Sequence, residues 1–168
     1  IDSAKMERMD FGKFVDDFCR EQHWDPSRFI VKASDHIPVT INPELLGRLI
    51  TNLVENAWKY GSDGKPVQIT VMTDHQEALL MVQDYGIGIS PEDQEKIWQR
   101  FYQVDASRSN QDGSGLGLSM VKQIAKLQSA IVSVEDAHPR QPRCIYFGEE
   151  IQTDACIHLW FGNTKTAL

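Results

Sequence analysis

The chain has 168 residues, 41% of them hydrophobic, enough for one well-cored domain and short for two. Its 17 basic and 24 acidic residues leave a net charge of -7 with no Lys/Arg-rich run, which argues against nucleic acid as a partner. Cys19, Cys144 and Cys156 are odd in number and lack metal-ligand spacing, as free thiols in a reducing compartment would be; no apolar run approaches the ~20 residues that cross a bilayer, and the opening IDSAKMERMD is too polar for a signal peptide.

In chain order, the segment to about Gln22 is charged, with Phe11, Phe14, Val15 and Phe18 at helical spacing. It reads as a linker or the end of an upstream helical region, which makes residues 23–168 the domain proper. FIVKAS and IPVTI read as short strands. NPELLGRLITNLVENAWKY carries Asn42 as a cap and Pro43 at the first helical position, and is the clearest helix of the chain. VQITVMT and ALLMVQD flank the polar turn DHQE as a hairpin, and SPEDQEKIW repeats the cap-then-proline signal for a second helix. Residues 103–114 are polar and glycine-bearing, a mobile loop ahead of a third helix from Leu116 to about Leu127. AIVSVED and ACIHLWF end the chain as strands, with a less legible CIYFGEE between them. Strands and helices mix without strict alternation, so the expected class is α/β: a two-layer sandwich whose mixed, mostly antiparallel sheet is covered on one face by three helices.

Three stretches carry chemistry. On the clearest helix, Leu46, Leu49, Ile50, Leu53, Val54 and Ala57 share an apolar arc, and Asn52, Asn56 and Lys59 fall together on its edge with Tyr60 at the border. That edge is either a solvated flank, with Glu55 and Lys59 as an i,i+4 pair, or the lining of a cleft in which an Asn carbonyl serves as a hard oxygen ligand. In QDYGIGIS a strand ends at Asp84 and runs into Gly86 and Gly88. This is either an ordinary turn or a carboxylate that accepts from a ligand amine beside bare backbone that admits a flat ring. In DGSGLGLSMVK, Gly113, Gly115 and Gly117 precede a helix, whose N-terminus suits phosphate; the spacing is neither the dinucleotide G-x-G-x-x-G nor a P-loop.

Taken in order, NLVENAWKY, DYGIGI, IWQRFYQVDASRS and GSGLGL strongly resemble the four sequence boxes of the sensor histidine kinase catalytic domain, one of the ATPase superfamily shared with gyrase, the heat-shock chaperone and mismatch-repair ATPases. The resemblance implies an ATP-binding domain with a mobile ATP lid, using ATP and Mg²⁺. It implies Asn56 as the Mg²⁺ ligand, Asn52 facing the phosphates, Lys59 and Arg108 as cations on the phosphates, and Tyr60 flanking adenine. It further implies Asp84 as the acceptor of the adenine amino group with Gly86 and Gly88 beside it, Phe101 as an anchor of the lid, and Gly113, Gly115, Leu116, Gly117 and Leu118 as the phosphate loop. Relatives that hydrolyse ATP hold Glu where this chain has Asn52, and an amide cannot take a proton from water.

None of the histidines His23, His36, His75, His138 and His158 sits in an H-E-x-x-x-P context. The implied function is therefore the catalytic half of a kinase that transfers the γ-phosphate to a His on an upstream dimerisation domain, with a response regulator as the further partner. The implied location is cytoplasmic, the full-length protein anchored in the bacterial inner membrane and homodimeric, the fragment monomeric. A non-catalytic nucleotide-binding regulatory module and an anti-sigma type serine kinase are the alternatives. The chain departs from the family pattern at Gln103, where Arg is usual, at Ser129 and Ala130, where a Gly pair is usual, and over the long segment 137–154.

Overall fold

The most continuously apolar strand of the sequence lies in the middle of the main sheet. A computed structural model describes residues 5–60, 64–74, 77–85, 89–102, 117–128, 130–135, 145–146, 149–150 and 155–163. Strand β1 (Glu7–Asp10) leads into helix α1 (Phe11–Glu21). Then come β2 (Phe29–Ala33), β3 (Pro38–Ile41), α2 (Pro43–Tyr60), β4 (Val67–Asp74), β5 (Glu77–Asp84) and the single-turn α3 (Pro91–Gln94). Helix α4 (Gly117–Leu127), β6 (Ala130–Glu135), β7 (Ile145–Tyr146), β8 (Glu149–Glu150) and β9 (Ala155–Asn163) follow. The five-stranded sheet has the order β2-β4-β5-β9-β6, with β2 and β4 parallel and the remaining pairs antiparallel. The fold is thus α/β with a mixed, mostly antiparallel sheet. β1 pairs with β3, and β7 with β8, as separate two-stranded ladders.

Alternation along β4 and β5 sends Val67, Ile69 and Val71, and Ala78, Leu80 and Val82, into one core with the helices; Leu79, Met81 and Gln83 on the opposite side of β5 are buried as well. All six residues of the expected α2 arc are at most 4% exposed. Full burial of one such Leu or Val stabilises by about 1.5–3 kcal/mol. Asn42 caps α2 as its sequence implies, accepting from Leu45 N–H at 3.1 Å, and its own N–H donates to the Gln128 side-chain oxygen at 2.9 Å, tying the end of α4 to the start of α2. Among the described residues no helix is long and apolar enough to cross a membrane.

Two expectations are corrected. The segment to Gln22 is part of the packed domain: β1 pairs with β3, and Phe11, Val15 and Cys19 of α1 are fully buried in the same core. Apolar spacing reveals that a helix has a buried face, but not what it is buried against. SPEDQEKIW forms only the α3 turn and a 3-10 turn at Lys96–Trp98, because Ile97 is its one fully buried side chain and little holds a longer helix down. The three helices packed on the sheet are therefore α1, α2 and α4.

Helix α1 meets the β2–β3 connection at two points. A side chain at Gly12 would begin 1.9 Å from the Ser34 carbonyl oxygen, so glycine is required for this approach. Asp10 caps the helix, accepting from the backbone N–H groups of Lys13, His36 and Ile37, at 2.8 Å from His36, whose φ of 63° lies in the left-handed region. Partial burial alone would raise the Asp10 carboxyl, but these donors outweigh it and hold it below its ordinary value. Burial pushes the Cys19 thiol up to about 12, which leaves it unreactive.

Gly12→Ala is expected to lower stability by about 2 kcal/mol or more, read as a fall in the urea midpoint, because backbone must move. Asp10→Ala should cost about 1 kcal/mol at neutral pH. A depressed carboxyl contributes above its unfolded value and loses that contribution as pH falls through the lower folded value, so the two proteins should converge in stability below that folded value.

Candidate functional site

The polar edge of α2 lies where that helix meets both β5 and α4. Asn52 and Asn56 are half-buried at this edge and Lys59 is exposed on the last turn. The Asn52 amide nitrogen donates to the Met120 sulfur at 3.4 Å, so this residue already faces the first turn of α4. That turn begins at Gly117. Among the described residues, no atom outside its own helix backbone and chain neighbours lies within 4 Å of where a Gly117 side chain would start, and the first N–H groups of a helix have no intrahelical partners. Leu118, next along, packs against the core.

Asp84 ends β5 half-buried, and alternation puts it on the same side of the sheet as Leu80 and Val82, the side that carries α2. Its neighbour Tyr85 takes the other side. The Gln68 amide donates to the Tyr85 hydroxyl at 3.0 Å, the Lys65 ammonium sits 5.0 Å from its ring, and burial raises its phenol. With Tyr85 held on one side, the strand end keeps Asp84 on the other. Sequence reading did not single out Tyr85; its only signal was the period of two counted from the buried residues of β5.

After β5, the chain is fastened by α3 and the 3-10 turn. Ser90 and Asp93 hydrogen-bond each other, 2.6 Å between their side chains, and the Tyr102 hydroxyl donates to the second Asp93 oxygen. Hydrogen bonds from Ser90 and Tyr102 hold the Asp93 carboxyl below its ordinary value, and the same bond raises the Tyr102 phenol. Phe101, expected as an anchor of the lid, is 73% exposed with φ at 63°; in the same stretch Ile97 is buried, Trp98 is half-buried against the core and Tyr102 is bonded to Asp93, while the lid itself lies outside the described residues. Gly86, Gly88, Gln103, Arg108, Gly113, Gly115, Leu116 and the Tyr60 side chain lie outside the described residues. Among the described residues, no three His, Cys, Asp or Glu side chains converge. The Asn56 side-chain carbonyl is a hard oxygen that could join a divalent cation whose remaining shell comes from ligand and water. That is the habit of Mg²⁺ on a nucleotide.

Comparison with known proteins gives a consistent set of likenesses. A profile of the family described as "Histidine kinase-, DNA gyrase B-, and HSP90-like ATPase" matches residues 41–161. The sensor protein CiaH of Streptococcus pneumoniae is 40% identical over 106 residues, 62% of this chain and 24% of the relative. The sensor histidine kinase RppB of Synechocystis is 42% identical over 97 residues, 57% of this chain and 21% of the relative. The chain thus spans about a quarter of the length of these relatives or less. Among solved structures, the mycobacterial sensor histidine kinase MprB superposes with a TM-score of 0.72 at 25% identity, covering 93% of this chain and 96% of that one. The catalytic domain of the histidine kinase ThkA shares the fold with a TM-score of 0.69 at 16% identity, covering 97% and 99%.

Tyr102→Phe removes the hydroxyl that fastens the residues after the 3-10 turn. Hydrogen exchange at residues 96–102 should then accelerate at pH 7, while exchange in β5 should not change. Because Asp93 is depressed by this bond, the difference between the two proteins should fade as the pH falls through and below the folded Asp93 value.

Proposed function

The chain belongs to the family of histidine kinase-, DNA gyrase B- and HSP90-like ATPases, and from that premise we propose that it is the ATP-binding catalytic module of a two-component sensor histidine kinase. The observation that supports this reading is that α2 packs against both β5, which ends at Asp84, and α4, which begins at Gly117. Asp84, half-buried on the helix side of β5, accepts from the adenine amino group. Guanine presents a carbonyl oxygen there, which would oppose the carboxylate lone pairs. The N–H groups at the start of α4 and the Lys59 ammonium meet the phosphates, and Asn56 offers a neutral oxygen to Mg²⁺. Asn56 would hold that ion, and the chemistry it would supply is neutralisation of phosphate charge.

Asn52 is the residue that directs the outcome. Its amide has no basic site with which to take a proton from water, so it orients groups without activating a water molecule. The γ-phosphoryl group is thereby kept for another acceptor. It passes from the β-phosphate oxygen of ATP to an imidazole nitrogen of a His on a separate dimerisation domain, leaving ADP, and later reaches a response regulator. Relatives named as sensor histidine kinases, and the absence of an H-E-x-x-x-P motif around the chain's own five histidines, support this division of labour.

Titration calorimetry should detect Mg²⁺-ATP and prefer it to Mg²⁺-GTP. Asp84→Asn should weaken ATP binding by about tenfold or more, since the charge-assisted bond becomes at best a bond to a neutral amide oxygen. Unchanged affinity in Asp84→Asn would end the adenine assignment. With γ-labelled ATP, the chain alone should acquire no acid-labile phosphate, and a supplied dimerisation domain should be labelled on His; label on the chain itself would refute the division.

A further inference from the structure

The last turn of α2 carries Asn56, Lys59 and Tyr60, yet a helix end is where backbone bonds are fewest and fraying begins. The apolar arc secures the helix through Leu53, Val54 and Ala57, and Trp58 lies off that arc, half-buried. Its indole N–H donates to the Arg28 carbonyl at 2.9 Å, and the Arg28 guanidinium lies 4.6 Å from the ring centroid of the same indole. The Trp24 ring meets Trp58 edge-on with centroids 5.3 Å apart and planes at 87°, and itself packs edge-on against Phe29 at 5.8 Å and Phe18 at 6.3 Å. The indole is thus held by Arg28 and Trp24, both on the 22–28 connection, and Trp24 is itself backed by Phe18 of α1 and Phe29 of β2. Edge-on aromatic pairs and a cation over an indole face each add attraction beyond the area they bury, so the grip is strong for one residue at a helix end.

We infer that Trp58 is a positioning residue: the clamp formed by Arg28, Trp24 and Trp58 fixes the rotation and height of the last α2 turn, and through it the Asn56 amide and the Lys59 ammonium. The inference rests on the nucleotide reading above. Residues 56, 58 and 59 share one turn of a rigid rod, so a loosened Trp58 lets the oxygen offered to Mg²⁺ and the cation offered to phosphate wander together. A displacement of about 1 Å in groups that orient a reacting ligand can cost as much as a hundredfold. The core face of α2 is already secured by its apolar arc, so the fold does not depend on the clamp.

Trp58→Leu is the direct test, measured well below its unfolding temperature by calorimetry with Mg²⁺-ATP and again with ATP in EDTA. The expected result is affinity for Mg²⁺-ATP weakened by about tenfold, with the Mg²⁺-dependent part of the binding lost preferentially. Hydrogen exchange should quicken at residues 57–60 while residues 49–53 keep their protection. A merely structural tryptophan would lower the unfolding temperature without changing the ratio of the two affinities. Trp58→Phe, which keeps a ring but lacks the N–H, and Arg28→Ala, which removes the guanidinium but keeps the carbonyl acceptor, should give smaller losses in the same direction. They decide the matter if Trp58→Leu does not fold. Affinity ratios unchanged in every folded variant would overturn the inference while leaving the nucleotide reading intact. Failure of the unaltered chain to bind Mg²⁺-ATP would overturn both.

Discussion

Burial of one face of α2 against β4 and β5 is the constraint on which the rest of this structure depends. Six apolar side chains of a single helix are removed from water on that face, and the strands beneath are the most apolar of the chain. The burial fixes the rotation of the helix about its axis. Once Leu53, Val54 and Ala57 face the sheet, helical geometry gives Asn52, Asn56 and Lys59 no choice but to lie along the border between core and solvent. A polar ligand site made this way needs no buried charge: it uses the rim of a hydrophobic contact that the fold requires anyway.

The remaining polar contacts act as fasteners at the ends of elements. Gln128 joins the last turn of α4 to the cap of α2, Gln68 holds Tyr85 at the end of β5, and Tyr102 binds Asp93 after α3. Each fixes a chain end that leads into or out of the α2 corner, and each is a neutral donor or acceptor or a single carboxylate. The ion pairs among the described residues, such as Lys13 with Asp17 and Arg20 with Asp16, lie on exposed helix faces, where their contribution is slight. Stability in this domain is thus apolar, and precision at the site comes from hydrogen bonds and aromatic contacts.

The two aromatic devices near the site differ in kind. Trp58 is held on several sides and stiffens the helix end that bears it, whereas Phe101 stands in water with its backbone in the left-handed region. A large exposed apolar ring in an unfavourable backbone conformation costs free energy that the isolated domain does not recover among the described contacts. The resemblance expects an anchor at Phe101. The partners described in this stretch belong to Ile97, Trp98 and Tyr102.

What the sequence by itself determined was everything that depends on local period and local chemistry. The apolar arc of α2, the Asn42 cap, the β4–β5 hairpin, the start of α4 near residue 117, and the places of Asn52 and Asn56 beside the arc and of Asp84 at a strand end were legible, because a period of 3.6 or 2 is written along the chain. Tertiary structure alone decided that α1 belongs to the core and takes the place expected of a second helix at 90–98. It also decided that Phe101 is exposed, that Tyr85 holds the strand end from behind, and that Trp58 is clamped. The reason is common to all four. Each depends on what stands opposite a residue at a distance along the chain: Ser34 against Gly12, Gln68 against Tyr85, Arg28 against Trp58, and solvent over most of Phe101. A pattern along the chain announces that a face will be buried, but only the packed fold supplies its partner.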